Sequence, residues 1–366
     1  MSETALLQQV TAEILRDYAA GRAPTFGADA APDDGWAPDL WQTLDEAGLP
    51  LVGVPEAQGG AGGGWPEIAA VVRSAGRFPA PVPLVETAAL AGWLLAEAGL
   101  PIPTGPLTVA PTRRSDRLEV VADHDGWRLR GTAARVPWAS QAGAIVALAE
   151  HGGERVVASI SPVACRIEPG TNLAGEPRDR VTFADVRLGT DAVARVPVDA
   201  DDLLARGALV RAIQIVGALD RVLELTVGYV QARVQFGRPL GRFQAVQHEL
   251  ARLAGESIAA AAAVEGAVAA AAARVDCAAE VAAAKVRAGE AASAGARIAH
   301  QLHGAIGFTH EHQLHRLTTR LWSWRDEFGA ERDWAIQLGR FAAGAGSAGY
   351  WDWFTRDPGR EPGLTG

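Results

Sequence analysis

Along most of this chain the apolar residues recur three or four positions apart, and in its middle third they shift to every second position. Near the start, Leu6, Val10, Ile14 and Leu15 share one helical face. Leu40, Trp41, Leu44 and Leu49 share another, stopped by Gly48 and Pro50. Further helices are predicted near 66–76 and 85–98, before Pro101, Pro103 and Pro106 mark a boundary. Leu118–Val121 and Trp127–Arg130 then flank Asp125-Gly126, which predicts a hairpin. Ala144–Leu148 and Arg155–Ile160 read as strands joined at Gly152-Gly153, and Arg180–Arg187 as a last one.

Beyond about residue 200 the helical period returns. Leu209, Ile213, Val216, Leu219, Leu223, Val227, Val230 and Val234 line one face of a long helix. Phe236-Gly237-Arg238-Pro239-Leu240-Gly241 breaks it in a tight turn, because Gly tolerates unusual backbone angles and Pro cannot continue a helix. Phe243, Val246, Gln247 and Leu250 restart the period. About half of residues 251–300 are Ala, a composition that suits helices packed closely against one another. The expected fold is mainly α with a central β domain: an N-terminal helical domain (1–106), a β-barrel-like middle domain (107–197) and a C-terminal four-helix bundle (198–366).

Composition narrows the class. A chain of 366 residues with 48% hydrophobic content can bury a sizeable core. A net charge of -9 without a Lys/Arg run argues against nucleic acid as a partner. Cys165 and Cys277 lie far apart without metal-ligand spacing, which suits reduced thiols in a cytoplasmic protein. The first residues lack the basic start and apolar block of a signal peptide, and no uncharged apolar run of about 18 residues suggests a membrane span. The Gly-rich stretch Val54–Gly64 lacks the flanking context and the Lys-Ser/Thr of a phosphate loop and reads as a connector. His310, His312 and His315 with Glu311 are spaced to different sides of a helix and form no closed metal set, so no metal is expected.

Candidate chemistry concentrates at the corner, where Arg233, Gln235, Arg238, Arg242, Gln244 and Gln247 crowd hydrogen-bond donors around one turn. Four segments, in order, make the chain resemble the acyl-CoA dehydrogenase family over essentially its whole length. They are Leu40–Gly48 with Val54-Pro55-Glu56 and Gly59-Gly60, then Val181–Arg187, then Arg233–Gln244, then Gln301-Leu302-His303-Gly304-Ala305-Ile306-Gly307-Phe308-Thr309. The resemblance implies FAD held between the β domain and the bundle and completed by a neighbouring subunit. Arg233, Phe236, Phe243 and Gln244 would reach the neighbour's pyrophosphate and adenosine, as a guanidinium forks onto phosphate and a ring packs on adenine. Gln301, His303, Gly304 and Ala305 would supply a backbone loop beside the same phosphates, with Ala305 in place of the usual second glycine.

The implied reaction is α,β-desaturation of an acyl-CoA thioester. A carboxylate removes the proton next to the carbonyl while the flavin takes a hydride from the next carbon. Here the sequence departs from the family pattern. The late base position falls on Phe328 and the early one on Gly207; Glu327 serves only if the loop slips by one residue. In the β domain, Thr108–Asp116 keeps only Ser115-Asp116 of a flavin-lining string, and Arg135-Val136-Pro137-Trp138-Ala139-Ser140 replaces an aromatic-Ile-Thr/Ser-Asn segment. Pro137 has no N–H for a flavin atom, leaving Trp138 and Ser140 as candidate contacts. Groups serving a neighbour's FAD are thus kept, and groups building the chain's own site are degraded. The expectation is a base-poor subunit of a homo- or hetero-oligomeric acyl-CoA dehydrogenase that passes electrons to an electron-transfer flavoprotein or similar acceptor. Two rivals stand beside it: a flavin monooxygenase of the same fold, which needs no carboxylate base, and a non-catalytic structural partner.

Overall fold

The computed structural model describes residues 2–20, 35–273 and 276–355. Helices α1 (Glu3–Ala20), α2 (Pro38–Glu46), α3 (Trp65–Arg77) and α4 (Gly92–Glu97) form the N-terminal part, with a π-helical turn over Glu86–Ala91 leading into α4. The start of α3 is fixed by Glu67, whose carboxylate accepts the Gly64 N–H at 3.0 Å. The Gly-rich connector turns tightly: a side chain at Gly60 would meet the Val54 carbonyl at 2.1 Å, so glycine is required there for close approach.

The middle part is all β. Strands β1 (Leu107–Ala110), β2 (Arg117–Asp123), β3 (Gly126–Pro137), β4 (Ala144–His151), β5 (Glu154–Ile160), β6 (Arg166–Glu168), β7 (Arg178–Leu188) and β8 (Val193–Arg195) form one mixed sheet of order β6-β7-β3-β2-β4-β5-β8, with β1 beside β4. The β2–β4 join is a single pair, Glu119 with Glu150, so two half-sheets meet across a shared core of Leu129, Val136, Ile145, Ala158, Val181 and Phe183. The predicted hairpin is present one residue early: Asp123 pairs with Gly126, leaving His124-Asp125 as the turn. The apolar run at 144–148 is a strand buried on both faces. Ile145 and Ala147 enter the β core, while Ala144, Val146 and Leu148 enter the helical one.

The C-terminal part comprises α5 (Ala200–Ala232), α6 (Gln244–Ala272), α7 (Ala278–His303), α8 (Leu314–Asp326) and α9 (Glu331–Thr355). Asp199 caps α5, accepting the Asp201 and Asp202 N–H groups at 2.7 and 2.9 Å. α5 is the central rod; it packs on α3, α6, α7 and α8, and one hydrophobic core joins it to the N-terminal helices. A glycine allows the close contact with α3: a side chain at Gly217 would strike the Arg73 carbonyl at 2.1 Å. Of the described helices, α6 alone is long and apolar enough to cross a membrane by length and composition. Here Leu253, Ser257, Ala260, Val264 and Ala267 form its buried face.

Candidate functional site

Two places receive the residues singled out in the sequence. The first is the crevice between the β domain and the C-terminal helices, reached by the start of β7, by α5 and by the turn after α8. Glu327 ends α8 there, its N–H donating to the Trp324 carbonyl at 3.3 Å. Its Oε1 accepts from Arg178 Nε at 2.7 Å and Asn172 Nδ2 at 3.2 Å. Its Oε2 accepts from Arg211 Nε at 2.8 Å and Arg178 Nη2 at 3.1 Å. Glu176 accepts from Arg178 at 3.0 Å, Arg320 at 3.1 Å and the Trp324 indole at 3.0 Å. Glu86, buried in the π-helical turn, accepts from Arg211 at 2.7 Å. Three carboxylates therefore face three guanidiniums, which is the condition under which buried charge is tolerated.

Lys285 lies behind this group, fully buried, and donates to the Trp324 and Glu327 carbonyls at 2.8 Å each. It caps the end of α8 from α7, and burial lowers its pKa to about 7. Glu327 moves in the opposite sense to an isolated buried acid. Burial raises its pKa, but the charges of Arg178 and then Arg211 outweigh that and hold it at about 2. A general base needs a proton affinity near its working pH and a free lone pair aimed at substrate. Glu327 has neither, so its expected catalytic role is corrected to that of a structural anion.

The same crevice is closed by rings. Phe328 has φ 54° and is buried, and a side chain on Gly207 would meet its ring at 2.1 Å, so the early base position is sealed as well. Trp138, also at positive φ, is 3% exposed. With Glu176, Arg178, Arg211 and Trp324 it lines a residual cavity of about 30 Å³, roughly the share of one water. Ser140 donates its N–H and its hydroxyl to Asp179, both at 2.9 Å. Trp138 is thus internal, and Ser140, though exposed, has both donors engaged by Asp179, a correction to their expected place beside a flavin. An open cleft of about 560 Å³ remains outside, between Thr112, Arg113, Arg135 and Pro137 and the turn Phe328-Gly329. The inner crevice is filled by side chains, whereas residues 112–115, Arg135 and Pro137, from the two segments expected beside a flavin, line this open cleft together with Asp326 and Glu327.

The second place is the corner between α5 and α6. Val234-Gln235 (β9) pairs with Arg238-Pro239 (β10), and the expected turn narrows to Phe236-Gly237, both at positive φ (50° and 79°), the two-residue hairpin geometry. This throws the Phe236 ring outward, 91% exposed. Phe243 is half-buried, with the Arg238 guanidinium 4.1 Å from its ring and Phe236 edge-on at 6.2 Å. Arg233, Arg242, Gln244 and Gln301 are exposed and, among the described residues, their side chains have no hydrogen-bond or ion-pair partner. α7 ends beside them at Gly304 (φ 65°), followed by exposed Ala305, Ile306 and Phe308.

His303 differs from this expectation. It is 3% exposed, its Nδ1 donates to the Ala299 carbonyl at 2.8 Å, and its ring stacks on Tyr229 at 4.5 Å, so it makes no outward contact. Sequence reasoning passed over Glu86, Glu176, Arg178, Arg211 and Lys285, and two of these did leave a signal. Arg211 interrupts the apolar run of α5, and Lys285, the chain's only lysine, stands among alanines. The His310–His315 segment brings together no metal set, and none is found among the described residues.

Comparison with known proteins gives matches over both helical parts. The family described as acyl-CoA dehydrogenase, C-terminal domain, matches residues 199–325, and its N-terminal domain matches residues 5–101. Acyl-CoA dehydrogenase IpdE2 of Mycobacterium tuberculosis is 32% identical over 317 residues, covering 86% of this chain and 89% of the relative. Its counterpart in Mycolicibacterium smegmatis is 29% identical over 313 residues, covering 85% and 90%. Among solved structures, a variant of the Tcur3481–Tcur3483 steroid acyl-CoA dehydrogenase superposes with TM-score 0.81 at 28% identity, covering 94% of this chain and 98% of that one. The ChsE4–ChsE5 complex from Mycobacterium tuberculosis has the same fold, with TM-score 0.83 at 24% identity over 94% and 98% of the two chains.

Proposed function

The chain belongs to the acyl-CoA dehydrogenase family of FAD-dependent oxidoreductases, and from that premise we propose that it is the base-poor subunit of a two-chain enzyme. In this reading its α5–α6 corner completes the FAD site of a sister chain, which carries the base. One observation carries the reading: the early position, Gly207, lies under the Phe328 ring, the late position is Phe328 itself, and the adjacent Glu327 is saturated by an ion network.

The chemistry follows from which groups remain free. When bound, FAD supplies a hydride acceptor for the β-carbon of the thioester. Arg233 would fork onto pyrophosphate oxygens, Phe236 would lie against the adenine and Gln244 would fix orientation. Gln301, Gly304 and Ala305 would bring a backbone edge to the same phosphates. Removing the α-proton would fall to a carboxylate of the sister chain, since Glu86, Glu176 and Glu327 are all engaged by guanidiniums. A bulky, polycyclic acyl-CoA is the proposed substrate class. It is supported by the 28% identical neighbour, itself described as a steroid acyl-CoA dehydrogenase and named by two chains. An electron-transfer flavoprotein or similar acceptor would reoxidise the assembly.

The test is to purify the chain alone and together with a homologous sister chain, count FAD per subunit and assay acyl-CoA oxidation with an artificial acceptor. The expected result is no flavin and no turnover alone, and one FAD for each pair of unlike chains together. One FAD per chain with full activity for the chain alone would overturn the proposal.

A further inference from the structure

Five of the chain's eight histidines fall between residues 300 and 315, under the turn that follows α7. They are packed as rings, not as ligands. His303, the last residue of α7, lies with its ring 4.5 Å from Tyr229 of α5, at 23° between planes. His312 approaches edge-on from the other side of the turn, 4.6 Å from His303. Each ring is tied to its own segment. The Tyr229 carbonyl accepts the Arg233 N–H at 2.8 Å, so this ring stands one helical turn before the exposed arginine. His303 immediately precedes Gly304, and His312 Nδ1 accepts the Leu314 N–H at 3.1 Å where α8 begins. On the far side of the turn His300 stacks on Phe308 at 4.0 Å.

We propose that Tyr229, His303 and His312 form a positioning stack that holds the 304–309 turn in register with the Arg233 corner, so that both segments address one ligand. The proposal rests on the reading of the corner as a flavin-facing surface for what the ligand is, but the stack itself is a property of this chain.

Such a stack holds only while its rings are neutral. His303 Nε2 and His300 Nδ1 are buried without a hydrogen-bond partner. The groups facing His303 are Tyr229 and the Leu225 carbonyl from α5, His300 and the Ala299 carbonyl from its own helix, and His312 from the loop, with His315 of α8 beyond His312. The nearby acids are engaged elsewhere, Glu311 by the Thr309 hydroxyl and Glu224 by Arg77 and Arg221. Burial first, and the charge of His300 after it, lower the His303 pKa from 6.5, while the two carbonyls oppose this more weakly. The detached turn therefore binds protons that the docked turn refuses. Docking strength is complete above about 6.5 and falls as pH drops below it.

Hydrogen exchange on the full chain tests this directly. Protection of residues 304–313, corrected for the intrinsic pH dependence of exchange, is expected to fall between about pH 7.5 and about pH 5.5, with roughly tenfold as the most that one imidazole contributes over that range. His303→Phe, which keeps a stacking ring without a titrating nitrogen, should lose less protection between the two values than the wild type, the remaining loss coming from His312. His303→Ala, and Tyr229→Leu from the opposite side, should lose it at both. Protection in His303→Phe that falls as in the wild type, or protection in His303→Ala that stays high, overturns the proposal. In the two-chain complex, FAD retention should follow the same order. If Arg233→Ala leaves FAD retention unchanged while the exchange results hold, the corner reading fails and the stack stands.

Discussion

The crevice and the corner are both rich in arginine, and the two sets are in opposite states. In the crevice Arg178 and Arg211 are 2% and 1% exposed, and their donors end on Glu327, Glu176, Glu86 and Gln214. At the corner Arg233 and Arg242 stand in solvent with no carboxylate partner among the described residues. A saturated guanidinium has nothing left to offer a ligand. A free one held on a rigid turn keeps its full capacity for phosphate. Family resemblance runs through both regions, so resemblance alone does not locate the working site. The state of the donors does.

The contrast can be broken most forcefully at Glu327. Glu327→Gln leaves Arg178 and Arg211 facing one another with less than a full counter-charge, and should destabilise the chain by about 3–5 kcal/mol, read by chemical denaturation. It should not remove turnover from the two-chain enzyme wherever the complex stays folded; loss of turnover at full stability would reinstate Glu327 as the base. Gly207→Ala, driven into the Phe328 ring, should cost about 1–3 kcal/mol, and Phe328→Ala in the same chain should relieve part of that. Arg233→Ala should leave unfolding within about 0.5 kcal/mol of wild type. Equilibrium dialysis of FAD from the complex should show affinity reduced roughly 10- to 100-fold, as expected for one charge-assisted contact. Phe236→Ala is the mildest test, with unchanged stability and a flavin affinity lowered by less than about tenfold.

Acid and base titration separate the regions further. Glu327 has a folded pKa of about 2 against an ordinary 4.5, so the stability it contributes is complete above about 4.5 and is lost as pH falls toward 2. Lys285 runs the other way. Between about 7 and 10.5 the unfolded chain binds a proton that the folded chain refuses, so stability rises with pH across that window. Lys285→Met should flatten that rise in denaturation midpoints measured from pH 7 to 10.5. A midpoint that still climbs would place the effect elsewhere.

Much of the architecture was legible because it follows short-range rules. The helical stripe from Leu209 to Leu219 became a buried face of α5. Beyond it Val222, Thr226 and Val230 are buried, while Leu223 and Val227 are half-buried and Val234 is exposed past the helix end. The hairpin signal at Asp125-Gly126 became a hairpin one residue away. The corner was legible too, since Gly237 and Pro239 leave the chain few alternatives. The crevice was not. Arg178 and Glu327 are 149 residues apart, and nothing local states that they meet. Nor does the sequence around Trp138 and Ser140 say that a positive φ at Trp138 turns one ring inward and that Asp179 claims the neighbouring hydroxyl.

By itself, then, the sequence determined the order of helical, β and helical parts and the family, because periodicity, turn chemistry and motif spacing are read along the chain. Tertiary structure alone decided what Glu327 pairs with and which arginines remain free. Those outcomes depend on charge pairing and burial between segments distant in sequence, where the cost of an unpaired buried ion selects the partners.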